Sequence, residues 1–210
     1  MPRSQEGLAR LVAREGVSTS VADAFRAVDR AGFVPAGARG SAYGDRPVAI
    51  PEHQTTSQPT LIARMIDVAG VGPDDRVLEV GTGLGFQTAL LATLAAEVVS
   101  LDRFSSLTRA AAANLDAAGI DNVTLITADG WEGAPEHAPF DVILVSAAAS
   151  EVPRPLAEQL SEGGRLVIPV QARSGDDVLL FAKRRGQLVR RGLVTPARFV
   201  PLVPGAPGAP

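Results

Sequence analysis

A glycine-rich segment is the feature of this sequence best suited to binding a ligand. Three glycines at alternating positions follow the apolar run that ends at Val80; they are Gly81, Gly83 and Gly85. Glycine at such a turn lets the backbone bend sharply and approach a ligand, while the N–H groups of a following helix point towards it. Phe86 stands where the third glycine of a nicotinamide-binding G-x-G-x-x-G motif belongs. The segment therefore favours a cofactor without a pyrophosphate.

Two acidic residues follow at the ends of the next two strand-like runs. Asp102 ends one of them, about twenty residues after the glycines, where a carboxylate can accept both hydroxyls of a ribose. Asp129 and Gly130 end the other, where they can bond an adenine amino group. Each feature also has an ordinary explanation, since glycines turn chains, Asp102 can cap a helix and Asp-Gly forms turns. Because all lie at strand carboxyl ends, we predict one shared site.

Short apolar runs alternate with amphipathic ones from residue 76 onward. The strand-like runs are residues 76–80, 98–102, 123–127, 141–146 and 165–170, and the helix-like runs are 87–95, 105–118 and 153–160. This alternation predicts an α/β fold with a doubly wound, mostly parallel sheet. Three further strand-like runs, 178–183, 188–193 and 198–203, follow without helices. They predict antiparallel strands at the C-terminal edge.

The N-terminal third has a different pattern. Apolar residues at helical spacing, including Val21 and Phe25, predict a first helix, and the serines and threonine before them are good N-cap candidates. A second helix is predicted to start near Pro59 and to end at Gly70. Glycine and proline interrupt residues 32–59. We expect residues 1–60 to form a helical segment and a covering loop, residues 61–203 the core of the same folding unit, and residues 204–210 a flexible tail.

The composition excludes several classes of chemistry. The chain has 210 residues, 46% of them hydrophobic and 20% charged, with a net charge of -3. It has no cysteine and two histidines, which excludes disulfides, thiolate nucleophiles and multi-histidine or thiolate metal sites. No run reaches the roughly 18 apolar residues that span a bilayer. We therefore expect a cytoplasmic protein without a metal, a membrane or a nucleic-acid partner.

Several segments resemble the consecutive motifs of the protein-L-isoaspartate O-methyltransferase family. They are Phe33-Val34-Pro35, Tyr43-Gly44-Asp45-Arg46-Pro47, Gln54-Thr55, Ser57-Gln58-Pro59, Glu79-Val80-Gly81-Thr82-Gly83, Asp102, Asp129-Gly130, Ala147-Ala148-Ala149, residues 163–170 and Arg198-Phe199-Val200-Pro201-Leu202. Many methyltransferases share the glycine motif, whereas residues 55–59 are specific to this family. The resemblance implies a monomer with the Rossmann-like fold of methyltransferases that use S-adenosyl-L-methionine.

The resemblance also assigns roles to residues. It implies methyl transfer to an isoaspartyl or aspartyl carboxylate of a peptide or protein, giving S-adenosyl-L-homocysteine, with Ser57 as the active-site serine. The expected cofactor-binding residues are Thr55, Glu79, Gly81, Thr82, Gly83, Gly85, Gln87, Asp102, Arg103, Asp129 and Gly130. The expected substrate-binding residues are Gln54, Thr56, Ser57, Phe199, Val200, Pro201 and Leu202. A carboxylate acceptor, with a pKa of about 3.9, needs no strong general base.

Simpler explanations exist for some of these residues. Ser57 can act as the N-cap of the helix that starts near Pro59, and residues 198–202 can be an ordinary edge strand. Gln87 and Arg103 can be exposed side chains without a function, and Trp131 can either stack near an adenine or pack in the interior.

The sequence departs from the family pattern near the expected acceptor site. Pro51-Glu52-His53 replaces a segment that usually contains glycine, Thr60 replaces a common histidine, and Leu84 replaces a small polar residue. These departures leave two acceptors open: isoaspartyl residues of damaged proteins, or an aspartate side chain of one dedicated peptide that becomes an aspartimide. A non-catalytic S-adenosylmethionine-binding protein, disfavoured by Ser57, and a nucleotide-dependent oxidoreductase, disfavoured by Phe86, are further alternatives.

Overall fold

A computed structural model describes residues 2–205, so residues 206–210 of the expected tail lie outside the described part of the chain. The helices are α1 (Gln5–Ala13), α2 (Thr19–Ala27), α3 (Pro59–Ala69), α4 (Phe86–Ala92), α5 (Ser105–Ala117) and α6 (Arg154–Gln159). The strands are β1 (Val48–Ile50), β2 (Gln54–Thr56), β3 (Arg76–Val80), β4 (Glu97–Asp102), β5 (Val123–Thr127), β6 (Phe140–Val145), β7 (Leu160–Ala172), β8 (Gly175–Arg184) and β9 (Gln187–Ala197). Within this range no helix is both long enough and apolar enough to cross a membrane.

Seven strands form the central sheet, in the order β5-β4-β3-β6-β7-β8-β9. The pairs from β5 to β7 are parallel, whereas β8 and β9 pair antiparallel at one edge. The chain builds outward from β3 through β4 and β5, then crosses to β6 on the other side of β3. This reversal creates the crevice at which open α/β sheets bind ligands. The predicted doubly wound α/β fold is confirmed.

Both faces of the sheet are covered, which explains the continuous apolar runs of its strands. Val77 of β3 packs into a cluster with residues of α1 to α4, and the next residue, Leu78, packs into a second cluster on the opposite face. In the first cluster the rings of Phe25 and Phe33 contact Phe86 of α4, with centroids 5.7 Å and 6.0 Å away. The N-terminal segment therefore shares its apolar core with the sheet, and the single folding unit stays a prediction.

Helix α3 lies between the N-terminal segment and the sheet, and its ends follow the sequence pattern. Pro59 occupies the first turn, and Gly70 ends the helix in a left-handed conformation with φ of 62°. The N-cap is Gln58, whose side chain accepts no backbone N–H of the helix. Asp45 from the preceding loop instead accepts the backbone N–H of Thr60 at 3.0 Å. The interpretation of Ser57 as the N-cap is therefore wrong.

The prediction of a strand at residues 198–203 is also wrong. Strand β9 ends at Ala197, and the segment that follows turns back across the carboxyl ends of the parallel strands. Its one ladder contact is an isolated parallel bridge between Pro201 and Ala148, whose N–H donates to the Val200 carbonyl at 2.8 Å. Val200 and Leu202, on either side of Pro201, make the backbone hydrogen bonds of this bridge, and among the described residues no ladder extends it.

Candidate active site

A pocket opens at the carboxyl ends of β3, β4 and β6 and is called here the strand-end pocket. It encloses about 910 Å³ of space, part of it open to solvent. The predicted site residues that line it are Gln54, Thr55, Thr56, Ser57, Gly81, Thr82, Gly83, Gln87, Asp102, Arg103, Gly130, Val200, Pro201 and Leu202. Residues separated by more than a hundred positions in the sequence thus meet at the predicted place.

The glycine loop forms the floor of this pocket. The N–H groups of Gly81 and Thr82 both donate to the carbonyl of Leu101, at 2.8 Å and 3.0 Å, which binds the loop to β4. Gly81 has a φ of 101°, and a Cβ atom there would lie 3.2 Å from the Cβ of Ser146. Only glycine adopts this backbone easily. Gly85, also predicted, has a φ of 91° and is the N-cap of α4 rather than a lining residue.

Glu79 lies beneath the pocket and does not line it. Its side chain is fully buried and accepts hydrogen bonds from Gln87, Thr88 and Ser100. Burial raises the pKa of Glu79 from 4.5 to about 7, although these hydrogen bonds oppose the rise. Gln87 also donates to the Ser146 hydroxyl at 2.9 Å, and both of these residues line the pocket. The geometry thus places Glu79 as a support for Gln87.

Asp102 ends β4 and presents its carboxylate at the pocket. One oxygen accepts the N–H of Gly83 at 2.9 Å, and the other accepts the N–H of Phe104 at 3.0 Å. Burial raises the pKa of Asp102, whereas these backbone donors lower it. The backbone N–H of Arg103 is a third donor, and a carboxylate has about four acceptor sites, so capacity remains for a ligand hydroxyl. The N-cap of α5 is Phe104, so the interpretation of Asp102 as a helix cap is not supported.

Asp129 and Gly130 differ in what they contact. Gly130 lines the pocket, and a Cβ atom there would lie 2.5 Å from the Val80 side chain, so the close approach requires glycine. The carboxylate of Asp129 instead accepts the N–H of Trp131 at 2.9 Å and of Gly205 at 2.7 Å. Trp131 packs against the second apolar cluster and is not a lining residue, which favours its packing interpretation.

Arg103 is a lining residue rather than an exposed side chain without contacts. Its guanidinium donates to the carbonyl of Val203 at 3.4 Å and lies 5.7 Å from the centre of the Phe104 ring. Arg103 therefore links the rim of the pocket to the segment that follows β9.

A second cavity, called here the side cleft, meets the strand-end pocket near Ser57. It encloses about 1090 Å³ including open solvent, and charged residues such as Asp45, Arg64 and Arg198 line it together with Phe199. The residues that line both cavities are Thr55, Thr56, Ser57, Ser146 and Val200. A ligand in the pocket and a second ligand in the cleft would thus meet at these residues.

The hairpin formed by β1 and β2 covers one side of the pocket. Its turn contains Glu52 and His53, which both have positive φ, 61° and 56°. Glu52 accepts a hydrogen bond from the hydroxyl of Ser106 in the first turn of α5, and Ile50 lines the pocket. The unusual sequence Pro51-Glu52-His53 thus forms the tip of a hairpin that contacts the opposite rim.

Several lining residues were not predicted from the sequence. An apolar wall includes Ile50, Phe104 and Leu107, and Ser146 directly follows β6. Ser146 could have been found by the rule that located Asp102, since it too follows a parallel strand. The apolar side chains carry no comparable signal, because they resemble ordinary core residues. Among residues 2–205 no cluster of acidic residues and histidines forms a metal site.

Comparison with known sequences identifies one family of proteins. The family model of protein-L-isoaspartate(D-aspartate) O-methyltransferase matches residues 3–206. A protein-L-isoaspartate O-methyltransferase from Roseiflexus castenholzii is 45% identical over 196 residues, which cover 93% of this chain and 89% of the relative. One from Opitutus terrae is 47% identical over 193 residues, which cover 91% of this chain and 82% of the relative.

Comparison with solved structures identifies the same family as the comparison with sequences. A protein-L-isoaspartate O-methyltransferase superposes with a TM-score of 0.86 at 31% identity, covering 97% of this chain and 67% of the other. A Plasmodium falciparum chain, described as a beta-aspartate methyltransferase in complex with S-adenosyl-L-homocysteine, gives a TM-score of 0.85 at 25% identity. The superposition covers 96% of this chain and 99% of the other. The chain therefore belongs to the protein-L-isoaspartate(D-aspartate) O-methyltransferase family.

Proposed function

We propose that this chain is an S-adenosylmethionine-dependent carboxyl O-methyltransferase that esterifies isoaspartyl residues of peptides and proteins. The ester then closes to a succinimide, which opens the route to repair of the linkage. The observation that carries the proposal is the meeting of the strand-end pocket and the side cleft at Ser57. A methyl donor in one cavity and a peptide carboxylate in the other would face each other there.

The residues of the strand-end pocket fit S-adenosylmethionine. The Asp102 carboxylate lines the pocket, where we expect it to accept from the ribose hydroxyls, and the apolar side chains of Phe104 and Leu202 suit the flat adenine ring. A carboxylate in the pocket favours a sulfonium cation and disfavours a pyrophosphate. These features agree with the absence of a third motif glycine at Phe86.

The chain's residues have little proton transfer to perform. Bound S-adenosylmethionine supplies a methyl group on a positively charged sulfur. The acceptor carboxylate is ionised at neutral pH, so its oxygen forms the new C–O bond while the C–S bond breaks and the electron pair stays on sulfur. The protein must align the acceptor and exclude water. We expect the hydroxyl of Ser57, a half-buried residue that lines both cavities, to donate to the carboxylate.

The experiment uses labelled S-adenosylmethionine and two peptides that differ only in one aspartyl or isoaspartyl linkage. We expect methyl transfer to the isoaspartyl peptide, formation of its succinimide, and at least tenfold less transfer to the aspartyl peptide. The aspartyl peptide serves as the matched control. Equal transfer to both peptides, or transfer to neither, would contradict the proposal.

Modification of one dedicated peptide is not favoured as the function. Relatives that share 45% and 47% identity over more than nine-tenths of the chain carry the isoaspartyl name. The two departures near the acceptor site also have structural partners, since Glu52 contacts Ser106 and Thr60 contacts Asp45. The departures therefore have an explanation that does not require a new acceptor.

A further inference from the structure

Arg30 is a fully buried arginine beside the side cleft, and it connects two segments of the chain. Its Nη1 donates to the carbonyls of Ala42 and Gly44, at 2.7 Å and 2.9 Å. Its Nη2 donates to the Arg46 carbonyl at 3.2 Å, to the Thr56 hydroxyl at 3.1 Å and to the Ser57 carbonyl at 3.4 Å. One side chain thus binds the loop at residues 42–46 to the peptide that carries Ser57.

Burial of this guanidinium is costly. Desolvation lowers the pKa of Arg30 to about 10, and the negative charge of Asp45 opposes that change, so the side chain stays positively charged at neutral pH. Its Nε atom has no hydrogen-bond partner in the described part of the chain. Apolar residues of similar volume often stabilise a fold as well as buried charges do. The Arg30 hydrogen bonds and the Phe86 ring, whose centre lies 5.6 Å from Cζ, instead stabilise the guanidinium where it is.

The contacts of Arg30 converge on the residues shared by the two cavities. The Thr56 hydroxyl that accepts from Arg30 also accepts the N–H of Val48 at 3.2 Å, so it joins the arginine to the β1–β2 hairpin. Asp45 completes the arrangement from the other side, because its carboxylate accepts both the N–H and the hydroxyl of Thr60 at the start of α3. The backbone on both sides of Ser57 is thereby fixed from beneath.

We propose that Arg30 is the positioning residue of the acceptor site: it fixes the Thr56–Ser57 backbone so that the Ser57 hydroxyl meets the acceptor carboxylate. It also places a buried positive charge behind that carboxylate, which favours an anionic acceptor. This inference rests on the proposed carboxyl methyl transfer. Arg30 acts through Ser57 and Thr56, since its own donors are directed at the protein.

The first test compares Arg30→Lys with the wild type on the isoaspartyl peptide. A lysine keeps the charge, but one ammonium group cannot reach both segments. We expect kcat to fall about thirtyfold and KM for the peptide to rise, because a misplaced reacting group can lower the reaction rate by on the order of a hundredfold. We expect the Kd for S-adenosylhomocysteine to change by less than about threefold.

The matched control is Arg165→Lys. Arg165 likewise donates to backbone carbonyls, those of Ala69 and Gly70, but it does not line either cavity. We expect this variant to lose stability without a change in kcat or in KM for the peptide. If Arg30→Lys behaved as Arg165→Lys does, or lost affinity for peptide and S-adenosylhomocysteine equally, the positioning role would be refuted.

A second measurement does not depend on activity. Amide hydrogen exchange should accelerate at residues 54–58 in Arg30→Lys and stay unchanged in β3 and β4, whether or not the wild type methylates the isoaspartyl peptide. Unchanged exchange at residues 54–58 would overturn the inference, whereas an inactive wild type would overturn the proposed function alone. If Arg30→Lys does not fold, Thr56→Val and Thr56→Ser replace it. The valine variant, which lacks the hydroxyl that accepts from Arg30, should exchange faster at residues 54–58 than the serine variant, and equal exchange in the two would count against Arg30.

Discussion

The strand-end pocket and the side cleft are built in different ways. The polar groups of the pocket lie at the ends of adjacent parallel strands, where ladder bonds such as those from Gly81 and Thr82 to the Leu101 carbonyl fix them. The side cleft is lined instead by Asp45 and Pro47, by residues 55–58, by the start of α3 and by residues 195–200, and the side chains of Arg30 and Asp45 join the first three of these segments. A site at strand ends is organised by the fold itself. A site in loops depends on a few side chains and is therefore more sensitive to single substitutions.

The largest expected effect tests the pocket. Asp102→Ala removes the carboxylate that we expect to accept both ribose hydroxyls. The Kd for S-adenosylhomocysteine should rise about hundredfold, as expected for the loss of hydrogen bonds to a charged group. Isothermal titration calorimetry measures this change. Asp116→Ala, on the exposed face of α5, is the control and should bind as the wild type does.

The next effect tests the cleft. Ser57→Ala should lower kcat on the isoaspartyl peptide about thirtyfold, equivalent to roughly 2 kcal/mol, because the acceptor loses an orienting donor. Thermal stability should not change, since Gln58 rather than Ser57 is the N-cap of α3. A loss of stability with unchanged turnover would show that Ser57 has only a structural role. Ser20→Ala, an exposed serine in α2, is the control.

A third prediction concerns the support beneath the pocket. Because burial raises the pKa of Glu79 from 4.5 to about 7, the folded protein holds this proton more tightly than the unfolded chain. The resulting stability is present at low pH and is lost as the pH rises from 4.5 to about 7. The free energy of unfolding of the wild type, minus that of Glu79→Gln, should fall by about 2 kcal/mol between about pH 5 and pH 7.

Urea denaturation at several pH values measures that difference. Glu136→Gln, the same substitution at an exposed position, serves as the control. A constant difference between the wild type and Glu79→Gln across this range would show that Glu79 titrates as an ordinary carboxylate.

The smallest expected effect concerns the hairpin tip. His53 is exposed and has a φ of 56°, a conformation that costs a residue with a side chain about 1 kcal/mol. His53→Gly should therefore raise the free energy of unfolding by about 0.5 kcal/mol after the added entropy of the unfolded chain is counted. Arg185→Gly, with a φ of 53° in the turn after β8, is the matched control, and its free energy of unfolding should rise by a similar amount. A rise in KM for the peptide in His53→Gly alone would assign the tip to substrate binding.

More of the residues that line the strand-end pocket than of those that support the side cleft could be predicted from the sequence. The β-α alternation places Asp102 and Gly130 at strand ends, and the rule that strand ends meet at one edge then brings them together. Arg30 has contacts 12 to 27 residues away in a segment without periodicity, so no local pattern indicates its role. Residues 198–203 have a strand-like composition, but Pro201 and the bridge to Ala148 place them across the strand ends. Asp129 was correctly placed at a strand end, but its carboxylate bonds the backbone of Trp131 and Gly205.

The position of Trp131 has a practical consequence. The chain contains one tryptophan, Trp131, and its backbone N–H donates to Asp129, next to the pocket residue Gly130. Its indole emission therefore reports on one place in the molecule, next to the rim where we expect the adenine. Fluorescence titration can follow ligand entry without an attached dye, while substitutions in the side cleft leave the reporter untouched. The two halves of the site can thus be measured separately in the same sample.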